Sequence, residues 1–454
     1  MSDLNLVLLA ARRMIGTFLR CCLMSLAATM GVGAIAAAQS ARSDAPLSLR
    51  ALFDTVAATH PLIGAARSRT RAAQGGRIAA GAFGNPVLSV QVDNTPFPGG
   101  KSLTGLDRET MTTATLPLEF LYQRGPRVRE ADAMLRAAEA DALGVRQRVA
   151  MDAADAWYRA ALAQVGVTTS HDLVAWLDTL VAYNRARAKE GAVAEADFLR
   201  SELERDRAAA DATIQDVELT RARAALASFL GDPRHATALP NVLVTEHPLP
   251  LATINRQSSV SLMIDPRPDV RGARSRLDAS RAAITGEQSL ILRQLGATLG
   301  TKQTAGTTSM IAGLSLPIPL FDLNRGQLVR ANAERDAATL EVVAQERAAA
   351  ADILGAQEVA LLLTDRAAIL TSGGTQGFLA RADEARRIAL GAYREGAVPL
   401  LQVLDAARAW GEARLTFYRT LFAQHGSVLA LLSAQGIDLF ANLPVPASPA
   451  VPNR

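Results

Sequence analysis

From Arg124 to about Lys189 the chain carries one proline, Pro126, and after it only two glycines, Gly144 and Gly166. So little helix-breaking chemistry over about 66 residues predicts a single helix of about 100 Å, at 1.5 Å per residue. A matching run extends from about Gly326 to Glu395, with Gly373-Gly374 as its one irregularity. Val128, Leu135, Ala142, Val149, Ala156 and Ala163 recur every seventh residue. Ala333, Leu340, Leu354, Leu361 and Ala368 do the same in the second run, interrupted by Arg347. Such spacing predicts packing of the coiled-coil kind. Only 4% of the chain is aromatic although 49% is apolar, so the apolar share is mainly Ala, Leu and Val. That composition favours long helices packed closely along their length over the core of a pocket-forming enzyme.

Each run ends at the same four residues. Glu190-Gly191-Ala192-Val193 and Glu395-Gly396-Ala397-Val398 both precede a shorter helix, near 194–230 and 399–434. Gly191 and Gly396 supply the left-handed backbone that closes a helix, and Pro399 suits the start of the next one. Each pair is therefore a long helical hairpin with a tight tip. Other matches keep the same order. Pro61 with Ala66-Arg67-Ser68-Arg69 recurs as Pro268 with Ala273-Arg274-Ser275-Arg276, Leu116-Pro117 as Leu316-Pro317, and Arg124-Gly125 as Arg325-Gly326. A single offset of roughly 200 residues makes the chain a tandem repeat.

Within each repeat, two alternating segments lie between a short opening helix and the long one. Strands are expected at about 87–93 and 109–118, and again at about 295–303 and 308–316. Leu88, Val90 and Val92 fall on one face and Ser89 and Gln91 on the other, and Thr-rich 109–118 suits extended chain. Segments of this length and alternation fit membrane β-barrel strands. Taken alone, they fit surface hairpins equally well. Two strand pairs cannot close a barrel, because small ones need about eight strands. Strands that cross a membrane would therefore require several chains, and three chains would supply about twelve strands.

At the N-terminus, Arg12, Arg13 and Arg20 precede an apolar run from Cys21 to Ala38 that ends in Ala36-Ala37-Ala38. This reads as a signal peptide, 1–38, with Met14 as an alternative start. A membrane anchor is the competing reading, disfavoured by the short, Gly-rich run. Cys21 and Cys22 are the only cysteines, so the secreted chain would have no disulfide, thiolate ligand or thiol nucleophile. Arg20 before Cys21 disfavours lipidation. The resulting division is signal peptide 1–38, N-terminal segment 39–59, first repeat 60–238, connector 239–266, second repeat 267–436 and tail 437–454.

No enzyme chemistry emerges. His60, His171, His235, His247 and His425 show no ligand spacing, methionines do not cluster, and phosphate-loop and nucleophile-elbow motifs are missing. Trp157-Tyr158 and Trp410 lie in helical stretches and read as packing groups. A net charge of +4 with interspersed signs excludes a nucleic-acid argument. No cofactor and no metal site are expected.

His60-Pro61 with its Ala-Arg-rich helix, Leu316-Pro317-Ile318-Pro319-Leu320-Phe321-Asp322 with Asn324-Arg325-Gly326, and Tyr393 through Val398 leading to Val403-Leu404-Asp405-Ala406-Ala407 carry a family resemblance. Over nearly its whole length beyond the signal peptide the chain resembles the TolC-like outer-membrane efflux proteins, most of all the metal-cation branch typified by CzcC and CusC. The resemblance implies a mainly helical chain with a small β part, assembled as a homotrimer. Helical hairpins would form a periplasmic α-barrel tunnel below a β-barrel of twelve strands, four per chain. The implied partners are outer-membrane lipid, a periplasmic adaptor and an inner-membrane pump of the resistance-nodulation-division type, with no nucleic acid. The implied function is a passive duct, without catalysis, exporting metal cations, with drugs or polypeptides as alternative cargo. It also makes the two turns a periplasmic gate. The gate residues are then Gly191, Val193 and Asp197 in the first repeat, and Gly396, Val398, Gln402 and Asp405 in the second. Asp197 and Asp405 stand at acidic gate positions, whereas Gln402 replaces a common Asp and Val398 replaces a latch arginine found in some relatives. A periplasmic coiled-coil adaptor without a pore is the runner-up reading, though it leaves the paired strands unexplained.

Overall fold

The computed structural model describes residues 46–95, 107–191, 193–231, 239–251, 263–290, 295–316, 318–372 and 377–444. The predicted signal peptide, Ala192 and residues 373–376 lie outside the described residues. Helix α1 (Leu49–Thr59) is capped by the Ser48 hydroxyl, which accepts from the Ala51 amide at 3.2 Å. Helix α2 (Pro61–Gly81) starts with proline in its first turn. Strands β1 (Val87–Asp93) and β2 (Glu109–Pro117) lead through a short 3-10 turn into α3 (Arg124–Lys189), 66 residues long, and α4 (Glu195–Leu230). The second repeat supplies α5 (Pro268–Ser289), β3 (Gly296–Thr304), β4 (Thr307–Ser315), α6 (Arg325–Thr371), α7 (Phe378–Arg394) and α8 (Leu400–Ala434).

The second long helix departs from expectation. It is two helices, with Ser372 turning to extended backbone after α6 and α7 beginning at Phe378. The expected seven-residue stripe of α6 is also not its buried face: Leu340 and Leu354 are 70% and 53% exposed. Its buried residues include Ala331, Val342 and Ile353, together with Ala338, Ala349 and Ala360, followed by Ala367 and Leu370 at its C-terminal end. The first two sets step by eleven residues, a period that holds one face of a nearly straight helix toward its neighbours. In α3 only Val149 and Ala156 of the predicted stripe are fully buried.

The four strands form one antiparallel meander in the order β1-β2-β3-β4, so β2 and β3 join the two repeats in a single sheet. Ala305 and Gly306, with φ of 48° and 83°, make the two-residue β3–β4 turn. Gly300 is obligatory for a different reason, since a Cβ there would lie 2.2 Å from the Thr112 carbonyl oxygen. The register puts Leu88, Val90, Val92, Leu299, Met310 and Leu314 on one face, all exposed. The other face is mixed, with Ser89, Gln91, Thr113, Thr298, Lys302 and Ser309 beside Val87, Met111 and Ile311. A sheet that leaves its apolar face uncovered is the inverse of a water-soluble one.

Below the sheet, α3 packs against α2 on one side and α5 on the other, and α5 packs against α6. Arg124 and Arg127 fasten α2 to α3 by donating to the carbonyls of Ala80, Gly81 and Ala82 at its C-terminus. Toward the other end, α3 lies between α4 and α8, and α8 also holds α7. Each outermost helix therefore packs along one side only. Across the middle, α1, the connector and the chain after α8 lie on α3 and α8. There Leu52, Phe53, Val56, Leu239, Val242, Leu439 and Phe440 join Trp157, Leu421 and Leu429 in the main core. The N-terminal segment thus contains a helix, and the connector and tail contribute core side chains. Trp157 packs in that core as expected, its indole donating to the Leu47 carbonyl at 3.2 Å. Among the described residues, no helix is long and apolar enough to cross a membrane.

Candidate functional site at the hairpin tips

Each hairpin turn holds a glycine in the left-handed region. In the second, Glu395 is still near-helical and Gly396 takes φ +78°. The Gly396 amide donates to the Tyr393 carbonyl and the Ala397 amide to that of Ala392, closing α7 in a Schellman motif. Pro399, extended, is the cap residue just before α8, one position earlier than a first-turn proline. In the first turn, Gly191 takes φ +72° and donates to the Ala188 carbonyl at 3.1 Å. Ala194 then caps α4, whose first turn holds Glu195 and Asp197. Carboxylates there are favoured by the N-terminal end of the helix dipole.

Just inside the tips, all four hairpin helices meet. Leu177 and Leu180 of α3, Ala208 of α4, Tyr393 of α7 and Leu400, Val403 and Leu404 of α8 form a second core, with Val398 packed on its edge. At its centre the Tyr393 hydroxyl donates to Asn184 Oδ1 at 2.8 Å, both side chains buried. Among the described residues, the Asn184 Nδ2 has no hydrogen-bond partner. Beside them, Tyr183 donates to the Arg394 carbonyl at 3.4 Å, and the Tyr183 and Tyr393 rings meet edge to face at 6.2 Å. Burial pushes the Tyr393 hydroxyl pKa above its ordinary value, and the nearby Asp197 charge adds to the rise. The neutral hydroxyl is thus retained as a donor.

Gln402 and Asp405 of α8 are exposed, and Val193 and Asp197 are half-buried. Asp405 sits 3.6 Å from Arg408, which also pairs with Glu204 of α4 and so ties the two returning helices together. The turns therefore bring together Gly396, Val398 and the α8 start around one core, while Asp197 and Asp405 remain on separate helices. Sequence reasoning missed Asn184 and the Arg408–Glu204 tie. Asn184 had a visible signal: it lies four and seven residues after Leu180 and Leu177, a lone amide on an apolar stripe. Among the described residues, no group of three or more His, Cys, Asp or Glu is placed to hold a metal ion.

This arrangement of one meander, long hairpins and an equatorial core recurs in solved proteins. The channel protein CusC superposes with a TM-score of 0.73 at 18% identity, covering 86% of this chain and 92% of that one. The chain has the TolC-like channel fold. The outer-membrane channel OprN shares that fold with a TM-score of 0.71 at 20% identity, over 86% and 89% of the two chains. The outer membrane protein VceC of Vibrio cholerae shares it with a TM-score of 0.70 at 20% identity, over 86% and 96%. In sequence, this TolC-like chain is 26% identical over 387 residues to the cobalt-zinc-cadmium resistance protein CzcC of Cupriavidus metallidurans. That match covers 83% of this chain and 87% of CzcC. No family model matches the chain.

Proposed function

We propose that the protein is the outer-membrane subunit of a tripartite efflux system, a passive duct that works as a homotrimer and catalyses no reaction. The uncovered apolar face of the sheet carries this reading. Three of the four strands have nine residues, a length that suits a membrane crossing, and the side chains facing lipid must be apolar. Open sheet edges cannot persist in lipid, so β1 and β4 pair with neighbouring copies, three copies giving about twelve strands. The helical layer supports the same closure. Leu340, Leu354 and Leu362 of α6 and Leu203 and Ile214 of α4 are exposed along its two open sides. Like subunits in a ring would cover both.

The hairpins then reach into the periplasm, and their tips meet the adaptor and the resistance-nodulation-division pump that supplies the energy. Gly191 and Gly396 shape the turns, Val193, Val398 and Gln402 surround them, and Asp197 and Asp405 contribute rings of carboxylates that favour cations. Metal cations are the proposed cargo, supported by the likeness to CzcC; drugs or polypeptides are the alternative. Single-channel recording of the purified protein and of Asp405→Asn in planar bilayers tests this. Discrete, cation-preferring openings that lose preference in D405N are expected. Conductance with unchanged selectivity would remove Asp405 from the gate, and a protein soluble without detergent would favour a pore-less coiled-coil adaptor.

A further inference from the structure

The tandem repeat makes the seam inside one copy a template for a seam between copies. Thr70 of α2 donates to the Ala138 carbonyl of α3 at 3.3 Å, and its repeat counterpart, Leu277 of α5, clusters with Ala338 of α6. Residues of α3 therefore recur in α6 in the register that turns Ala138 into Ala338, which is also that of Leu116-Pro117 and Leu316-Pro317. Residues of α2 recur in α5 in the register that turns Arg69 into Arg276. Helices α3 and α5 form the internal seam. A Cβ built at Gly272 would lie 3.7 Å from that of Ala140. Asp141 pairs with Arg276 at 2.5 Å and Arg136 with Asp278 at 3.8 Å. At 3.6 residues per turn, these pairs flank the Ala140–Gly272 contact on opposite sides. The counterpart faces are open. Leu340 of α6 stands for Ala140, Glu341 for Asp141 and Asp336 for Arg136. On α2, Ala65 stands for Gly272, Arg69 for Arg276 and Arg71 for Asp278. Leu340 is 70% exposed, and the four charged residues are exposed. Asp336 pairs with the adjacent Arg335 and Arg71 donates to Ser68. Among the described residues, Arg69 and Glu341 have no ion-pair partner.

Resting on the reading of a ring closed by like subunits, we propose that α6 of one copy docks on α2 of the next through two ion pairs. Glu341 meets Arg69 of the next copy and Asp336 meets its Arg71, one pair on each side of a Leu340–Ala65 contact. The charged side chains of α2 are all arginines, Arg67, Arg69, Arg71 and Arg77, so the face that covers it must offer carboxylates. The first pair keeps the polarity of its internal counterpart, Asp141 with Arg276. In the second, both signs are reversed: arginine on α3 faces aspartate on α5 inside the copy, whereas aspartate on α6 faces arginine on α2 between copies. A reversal on one partner alone would have set like charges against each other. The pattern also sorts partners. The open face of α6 laid on α5 of another copy would put Asp336 against Asp278, and α3 laid on α2 of another copy would put Arg136 against Arg71. The charges thus disfavour exchange of the seam between copies for the seam within one.

Disulfide trapping and charge exchange test the assignment in the full chain, whose only two cysteines lie in the predicted signal peptide. Ala65→Cys and Leu340→Cys combined in one chain should form disulfides between chains on mild oxidation in detergent. The internal counterpart of that contact sets Cβ atoms 3.7 Å apart, within disulfide reach. Helices α2 and α6 lie at opposite edges of the upper layer of one copy, so the bond joins two chains and gives a covalent ladder on a non-reducing gel. Neither single variant should give the ladder. Arg71→Asp and Asp336→Arg should each lower the ratio of assembled to dispersed protein in native mass spectra about tenfold, because attraction turns to repulsion at every seam of the ring. The two reversals combined should restore assembly. Assembled protein whose paired cysteines stay unlinked, or single reversals that assemble as the parent does, would overturn the proposal. A parent chain that itself stays dispersed would instead remove the ring reading.

Discussion

At the scale of single residues, the tightest constraints fall where backbone or burial leaves one choice of side chain. Gly396 sits at φ +78°, where a Cβ carries a penalty of about 1–2 kcal/mol, more if β-branched. Gly396→Val is expected to loosen the second tip turn and lower export, with assembly intact; normal export with a normal oligomer would remove the turn from the gate. His425 gives a pH prediction beneath the connector. Burial between Tyr158 and Phe422 pushes its pKa down to about 4 from 6.5. The unfolded chain therefore binds the extra proton between those values, and stability falls as pH drops from about 6.5 toward 4, on the order of 3 kcal/mol in all. Denaturant titrations at pH 7 and pH 4.5 should show a smaller acid loss in His425→Gln than in the parent. The glycines were legible in the sequence because a left-handed turn is a local demand. Asn184 was harder to recognise, because its importance depends on Tyr393 arriving from the other repeat.

At the scale of elements, the strands and turns were readable and the faces of the helices were not. Alternation and turn chemistry act within a few residues, so the four strands were expected within a residue of where they lie. The buried face of α6 depends on which helices flank it, and an eleven-residue stripe of Ala, Val and Ile was masked by more conspicuous leucines on the open side. The break between α6 and α7 had its sign in Gly373-Gly374. The roles of α1, the connector and the tail had none, since short apolar pieces become core only through tertiary contact. Helices α3 and α7 are joined by the buried Tyr393–Asn184 bond. Tyr393→Phe leaves the Asn184 oxygen without its donor, a cost of about 1–3 kcal/mol. The two hairpins should then part more readily, seen as faster limited proteolysis within the tip turns; unchanged cleavage would assign the bond to packing alone.

At the scale of the molecule, the sheet with its apolar face outward, the one-helix-deep layer open on both sides and the connector across its middle suit a single segment of a closed tube. The repeat explains how one chain supplies matching halves of that segment, because β2 and β3 pair across the two copies and share one sheet. Closure by like subunits is the central claim, and the mass of the detergent-solubilised protein by native mass spectrometry tests it most directly. Three copies in each detergent-dependent particle are predicted. A monomer that stays dispersed in buffer without detergent would contradict the account.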